Sequence, residues 1–220
     1  MASSNVLIRY QDKTEVITYG LDKAGYPEPA EERNAYWKQI AGEKFFLFLG
    51  VLRYYKGLHI LIDALANIEY PVIIAGSGPI EDELSQHAKK LNLKNVHFVG
   101  EVSEEDKASL LRSSFCMVFP SHLRSEAFGI SLLEGAMFGK PMISSEIGTG
   151  TTYINIDKET GLVVPPSDPA SLSEALSYLW QNEQEALAMG KKAEARYWEL
   201  FTADKMVSSY ARLYRELHQE

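Results

Sequence analysis

Short apolar runs recur along this chain, most of them ended by glycine or proline and followed by a helical period. They are Phe45–Gly50, Tyr70–Ala75, Asn95–Gly100, Phe115–Phe119, Pro141–Ser144 and Gly161–Val164. Runs this brief and this continuous fit strands covered on both faces, which carry no polar side to alternate with. Helical periods lie between them: Ala30–Ile40, Leu58–Asn67, Pro79 to about Leu91, and Glu104–Arg112. Another begins after Gly129, and one capped by Ser167-Asp168 runs to about Trp180. Glu183–Leu200 and Thr202–Leu217 read as two further helices. Near the start, Asn5–Tyr10 reads as the tail of a helix and Lys13–Tyr19 as a short strand.

Strands alternating with helices imply an α/β fold, a Rossmann-like doubly wound parallel sheet with extra C-terminal helices. Right-handed crossovers then gather the strand C-termini along one edge, where open α/β sheets bind ligands. The loops after Gly50, Ala75, Val99 and Phe119 all belong to that edge.

The most informative of these loops is Ser121–Pro141. Pro120 ends a strand, Glu126 sits in the loop, and after Gly129 a helix places Ile130, Leu133, Ala136 and Met137 on one face. Gly139 and Pro141 end it. Glu126 therefore precedes a helix N-terminus, and Glu134 lies between one and two turns inside it. The amide groups of Gly129, Ile130 and Ser131 are free at such a start, and the helix dipole there favours an anion such as phosphate. Ionised carboxylates only accept hydrogen bonds, and sugars are rich in hydroxyl donors. A phosphate cradle flanked by two such acceptors suits a nucleotide sugar; the plain alternative is a polar loop and one solvated helix residue.

Arg53 and Lys56 are the cations nearest this edge. Fixed cations stabilise a departing diphosphate, Arg through paired hydrogen bonds and Lys as a point charge. Gly76-Ser77-Gly78-Pro79 is a tight strand-to-helix turn, and Glu81 breaks the dinucleotide fingerprint Gly-x-Gly-x-x-Gly. No Asp-x-Asp occurs, and the five histidines lack metal-ligand spacing, so neither a metal nor another cofactor is expected. His122 reads as a loop histidine in solvent. Ser121 and Ser125 lack the setting of a hydrolase nucleophile.

Composition narrows the field further. A net charge of −8 argues against nucleic acid and offers no basic face to a membrane. No run is long enough to span a bilayer, and Met1-Ala2-Ser3-Ser4 opens no signal peptide. Cys116, the single cysteine, lies in an apolar run and reads as buried packing, which fits a reducing compartment.

Two carboxylates with seven residues between them, in the context Arg-Ser-Glu-Ala-Phe-Gly, resemble the donor-site motif of retaining GT-B glycosyltransferases. The resemblance is to the glycogen-synthase-like and bacterial mannosyl- and rhamnosyltransferase group. It covers the chain from about Lys13 onward as one nucleotide-sugar-binding domain over residues 1–220. Residues 1–12 are then a residual interdomain segment, and the N-terminal acceptor domain is absent. It implies that Glu126 contacts the donor sugar near its reacting centre and that the backbone of Ala127, Phe128, Gly129 and Ile130 binds sugar and phosphate. Glu134 would hold the ribose, Lys56 the diphosphate, and the Gly100-Glu101-Val102 turn the base. Gly50 and Gly78 line the same edge. Related enzymes carry Gly-Arg-Leu where this chain has Gly50-Val51-Leu52, and Arg53 is the replacement for that arginine. They also carry Gly-Gly-x-Pro-Glu where this chain has Thr149-Gly150-Thr151-Thr152-Tyr153, a version similar to some surface-polysaccharide mannosyltransferases, which points toward GDP-mannose.

The implied reaction is hexosyl transfer to a glycan or lipid-linked acceptor, in the cytoplasm or, for the full-length enzyme, peripherally at the inner membrane. The isolated domain is expected to be inactive. Two other readings stay open: a sugar-nucleotide epimerase or phosphorylase of the same fold, and a non-catalytic nucleotide-sugar binding module.

Overall fold

The computed structural model describes residues 8–219. Its centre is a six-stranded parallel sheet in which the third, second, first, fourth, fifth and sixth strands of the chain lie side by side in that order. The strands are β1 Phe46–Leu49, β2 Val72–Ala75, β3 Val96–Gly100, β4 Cys116–Phe119, β5 Met142–Ser145 and β6 Gly161–Val164. The helices are α1 Glu31–Ala41, α2 Leu58–Ala64, α3 Glu81–Lys90, α4 Glu104–Ser113 and α5 Ile130–Met137, followed by α6 Thr151–Ile154, α7 Pro169–Gln181, α8 Glu183–Leu200 and α9 Ala203–Gln219.

Alternate residues of each central strand feed two separate cores. Phe46, Phe48, Val72, Ile74, Cys116 and Val118 pack with Leu61 of α2, Leu84 of α3 and Leu176 of α7. Leu47, Leu49, Ile73, Met117 and Phe119 pack with Trp37 of α1, Leu110 of α4, Leu133 of α5 and Tyr197 of α8. Both faces are therefore apolar, which is why the strands read as continuous runs and why helices cover the sheet on each side.

Strand order reverses direction between β1 and β4, which pair through Phe46↔Cys116 and Leu47↔Met117. From there the chain winds outward both ways, and ligands of such sheets bind beyond the strand ends at this switch point.

Lys13–Tyr19 is not a strand. Gln11–Lys13 forms a 3-10 turn, residues 14–20 form no strand, and Leu21 bridges to Thr202. The α8–α9 junction takes the backbone groups at the end of this segment: Leu21 N–H donates to Phe201 O at 2.9 Å and Ala203 N–H to Leu21 O at 2.9 Å. The helix tail expected over Asn5–Tyr10 lies partly outside the described residues; Ile8 and Arg9 within it are helical. The helix after Gly57 ends at Ala64 rather than Asn67, in a turn where Leu65 N–H reaches the carbonyls of Leu61 and Ile62. No helix among the described residues is long and apolar enough to cross a membrane.

Candidate functional site

The loops leaving β1 and β4 are locked together. His122 N–H donates to Tyr55 O at 3.0 Å, and a Cβ on Gly57 would lie 2.0 Å from Pro120 O. Lys56 ends a 3-10 turn, Tyr54–Lys56, in the first loop, and Glu126 stands in the second. The lysine Nζ donates to Glu126 Oε2 at 2.5 Å, and Ser121 Oγ lies 3.4 Å from the same oxygen. Lys56 and Glu126 are each only 8% exposed. The rings of Phe119 and Tyr55 lie 4.9 and 5.3 Å from the ammonium. Two side chains assigned to chemistry from loops 70 residues apart thus form one buried ion pair at the switch point.

Glu134 is also buried, at 6% exposure, which removes the plain reading of a solvated helix residue. Its Oε1 accepts from Tyr26 Oη at 2.7 Å and lies 3.3 Å from Lys107 Nζ. The two carboxylates share a pattern. One oxygen of each is engaged, Oε2 of Glu126 and Oε1 of Glu134, and no group among the described residues donates to the other. A carboxylate offers about four acceptor positions, so each keeps half its capacity for an incoming donor.

Between them, α5 begins at Gly129, whose φ of +96° a side chain would resist, and no side chain caps the helix. Its first amide groups therefore have no side-chain capping partner. Ile130 is 44% exposed, although Leu133, Ala136 and Met137 on the expected face are buried. Phe128 is half-buried against Tyr19, 5.4 Å between ring centroids, and Phe201, 6.3 Å. Ala127 O accepts from Gly150 N–H at 2.9 Å, and Arg124 Nη1 donates to Gly148 O at 2.7 Å. The divergent Thr149–Tyr153 stretch is thereby tied to the motif loop, and most of it forms the short helix α6, which its sequence did not announce.

Other assigned residues divide by role. Gly78 faces backbone: its Cβ would sit 2.3 Å from Leu52 O, while one on Gly76 would sit 2.0 Å from Gly50 O. The Gly76–Gly78 turn lies directly on the Gly50–Leu52 loop, so close packing alone accounts for these glycines. Val102 is half-buried against the second core. Arg53 is exposed and has no side-chain partner among the described residues. Cys116 is fully buried, and that burial pushes its thiol pKa up.

His122 is not in solvent. It is 9% exposed, with Nε2 3.1 Å from Tyr54 O and Nδ1 3.0 Å from Ser167 Oγ. A carbonyl only accepts, so Nε2 carries a proton toward Tyr54. His59 stacks on Tyr54 beside it, 4.9 Å between centroids, and its pKa is lowered by burial and by His122. Sequence reasoning also missed Tyr26 and Lys107. Only their distance in space from Glu134 identifies them, and Tyr26 lies 108 residues away along the chain.

A doubly wound parallel sheet with a spaced carboxylate pair beside its switch point is the arrangement that the resemblance to GT-B glycosyltransferases implies. The chain belongs to the group 1 glycosyl transferases, whose family model matches residues 31–196. It is 64% identical over 202 residues to the D-rhamnosyltransferase WbpZ of Pseudomonas aeruginosa, covering 92% of this chain and 53% of that protein. It is 49% identical over 217 residues to the O-antigen chain mannosyltransferase C of Escherichia coli, covering 99% of this chain and 58% of that protein. The chain thus spans about half the length of the curated relatives it matches. Among solved structures, HepE of Anabaena in complex with UDP superposes with a TM-score of 0.86 at 23% identity, over 98% of this chain and 62% of that one.

Proposed function

We propose that this chain binds a nucleoside diphosphate sugar across the switch point and forms the donor half of a retaining hexosyltransferase. The observation that carries this is the pair of buried carboxylates, each with one oxygen fixed and one open, on either side of an uncapped helix start. The α5 amide groups take the diphosphate, joined by Lys56 and by Arg53 from the exposed loop. Lys56 has three donors and spends one on Glu126, so the ion pair persists while two remain for phosphate oxygens. Glu126 Oε1 takes hydroxyls of the transferred sugar, and Glu134 Oε2 those of the ribose.

Charge that develops on the leaving diphosphate meets donors already in place, which lowers the barrier without reorganisation. Transfer occurs on one face of the sugar with the leaving group assisting. The acceptor, a glycan or a lipid-linked glycan, binds the further polypeptide that the longer relatives possess. No bound metal is required, because Lys56, Arg53 and the helix start supply the positive potential.

For the sugar, the names of the two relatives favour the manno configuration, since D-rhamnose is 6-deoxy-D-mannose. With the Thr149–Thr151 variation, that supports GDP-mannose or its 6-deoxy counterpart as donor. Calorimetric titration with GDP, UDP, ADP and their sugars tests the reading. GDP and GDP-mannose should bind most tightly; failure of every nucleotide to bind would refute a donor site.

A further inference from the structure

The engaged half of Glu134 is built with care that its helix alone does not supply. Tyr26 lies outside the sheet, in the stretch that follows the 3-10 turn Lys23–Gly25. Its ring is fixed edge-on by Phe138 at the end of α5, 5.8 Å between centroids. Lys107 of α4 is anchored by Glu104 at 2.6 Å, and its ammonium lies 5.0 Å from the Tyr26 ring centroid. Both donors converge on the same carboxylate oxygen.

From this convergence we infer that Tyr26, with Lys107, is a positioning residue: it fixes Glu134 so that Oε2 is presented to the ribose hydroxyls. The inference rests on the assignment of Glu134 to the ribose. A long carboxylate free to rotate loses side-chain entropy on capturing a ligand, and a pinned one has already lost it. The tyrosine is suited to the task. Burial, and then the Glu134 carboxylate, raise its pKa far above the ordinary tyrosine value, so it remains a donor at any working pH. Burial opposes the Lys107 charge, but the hydrogen bond it donates to Glu104 and the attraction of Glu134 more than offset it and raise its pKa. Neither donor reaches the open oxygen, so both direct the acceptor without competing with the ligand.

The test compares whichever of GDP, UDP and ADP binds most tightly with its 2′,3′-dideoxy form. Wild type should prefer the ribose form, and Glu134→Gln should largely erase that preference. Tyr26→Phe, which keeps the contact with Phe138, should weaken the ribose form about two- to tenfold, the worth of a hydrogen bond. It should leave the dideoxy form unchanged. The double variant should bind no more weakly than Glu134→Gln alone. Tyr178→Phe, which removes a 2.7 Å bond to Glu185 on the surface, is the control and should change neither affinity. If Tyr26→Phe melts early, Lys107→Gln takes its place with the same expected selectivity. Equal weakening of both ligands, or of neither while Glu134→Gln remains selective, overturns the positioning role and leaves the ribose assignment standing. Absence of binding, no ribose preference in wild type, or an intact preference in Glu134→Gln overturns the ribose assignment, and this inference with it.

Discussion

Lys56 and Arg53 carry the same charge but stand in opposite environments, so their removal should have different consequences. Lys56→Ala leaves Glu126 buried without its cation, a loss on the order of 3 kcal/mol of stability, and it also weakens diphosphate binding. Arg53→Ala removes an exposed side chain with no partner among the described residues. It should weaken diphosphate binding about tenfold and leave the melting temperature unchanged. Thermal melts beside calorimetric titration separate the two effects, and unchanged affinity in Arg53→Ala removes this arginine from the site. The glutamates should separate by ligand. Glu134→Gln weakens NDP and NDP-sugar by similar factors, whereas Glu126→Gln spares NDP and weakens NDP-sugar. At this scale the sequence singles out residues but not what they touch. The Glu126–Glu134 spacing is local and legible; their partners Lys56, Tyr26 and Lys107 are remote, and no local pattern links them. His122 was misread for the same reason, because Tyr54 and Ser167, which bury it, come from other loops.

Whole elements were more legible, because burial on both faces writes itself into composition. Phe46–Leu49 and Val72–Ala75 have no polar side, and Asp168 beside Pro169 marks the start of α7. Lys13–Tyr19 misled because a strand needs a neighbouring strand as well as a pattern, and this segment runs instead toward the α8–α9 junction. Helix packing supplies a prediction in which two effects oppose each other. Gly190 lies within α8, where alanine is favoured over glycine by about 1 kcal/mol. A Cβ there would sit 2.2 Å from Gly139 O and 3.0 Å from Pro141 Cδ. Backbone cannot give way as a side chain can, so Gly190→Ala should destabilise by about 1–3 kcal/mol despite its better propensity. A denaturant melt measures the sign directly; a stabilised variant would show that α8 can shift away from the end of α5.

For the molecule as a whole, the proposed donor site draws its positive potential from the chain itself. Affinity for the nucleotide should therefore be the same in chelator as in added magnesium or manganese. A strict metal requirement would contradict the roles given to Lys56, Arg53 and the α5 start. The purified chain should bind a donor yet glycosylate no acceptor, since its relatives are about twice its length. Most of this architecture was readable from the alternation of strands and helices; the engaged and open oxygens that define the site were not. The most direct test is a crystal structure of the chain with GDP-mannose. The account predicts diphosphate oxygens within hydrogen-bond distance of the Gly129–Ser131 amides and Lys56, with the ribose on Glu134 and the sugar on Glu126. A nucleotide seated elsewhere, such as the hollow lined by Leu65, Asn67, Leu91 and Asn95, would contradict it.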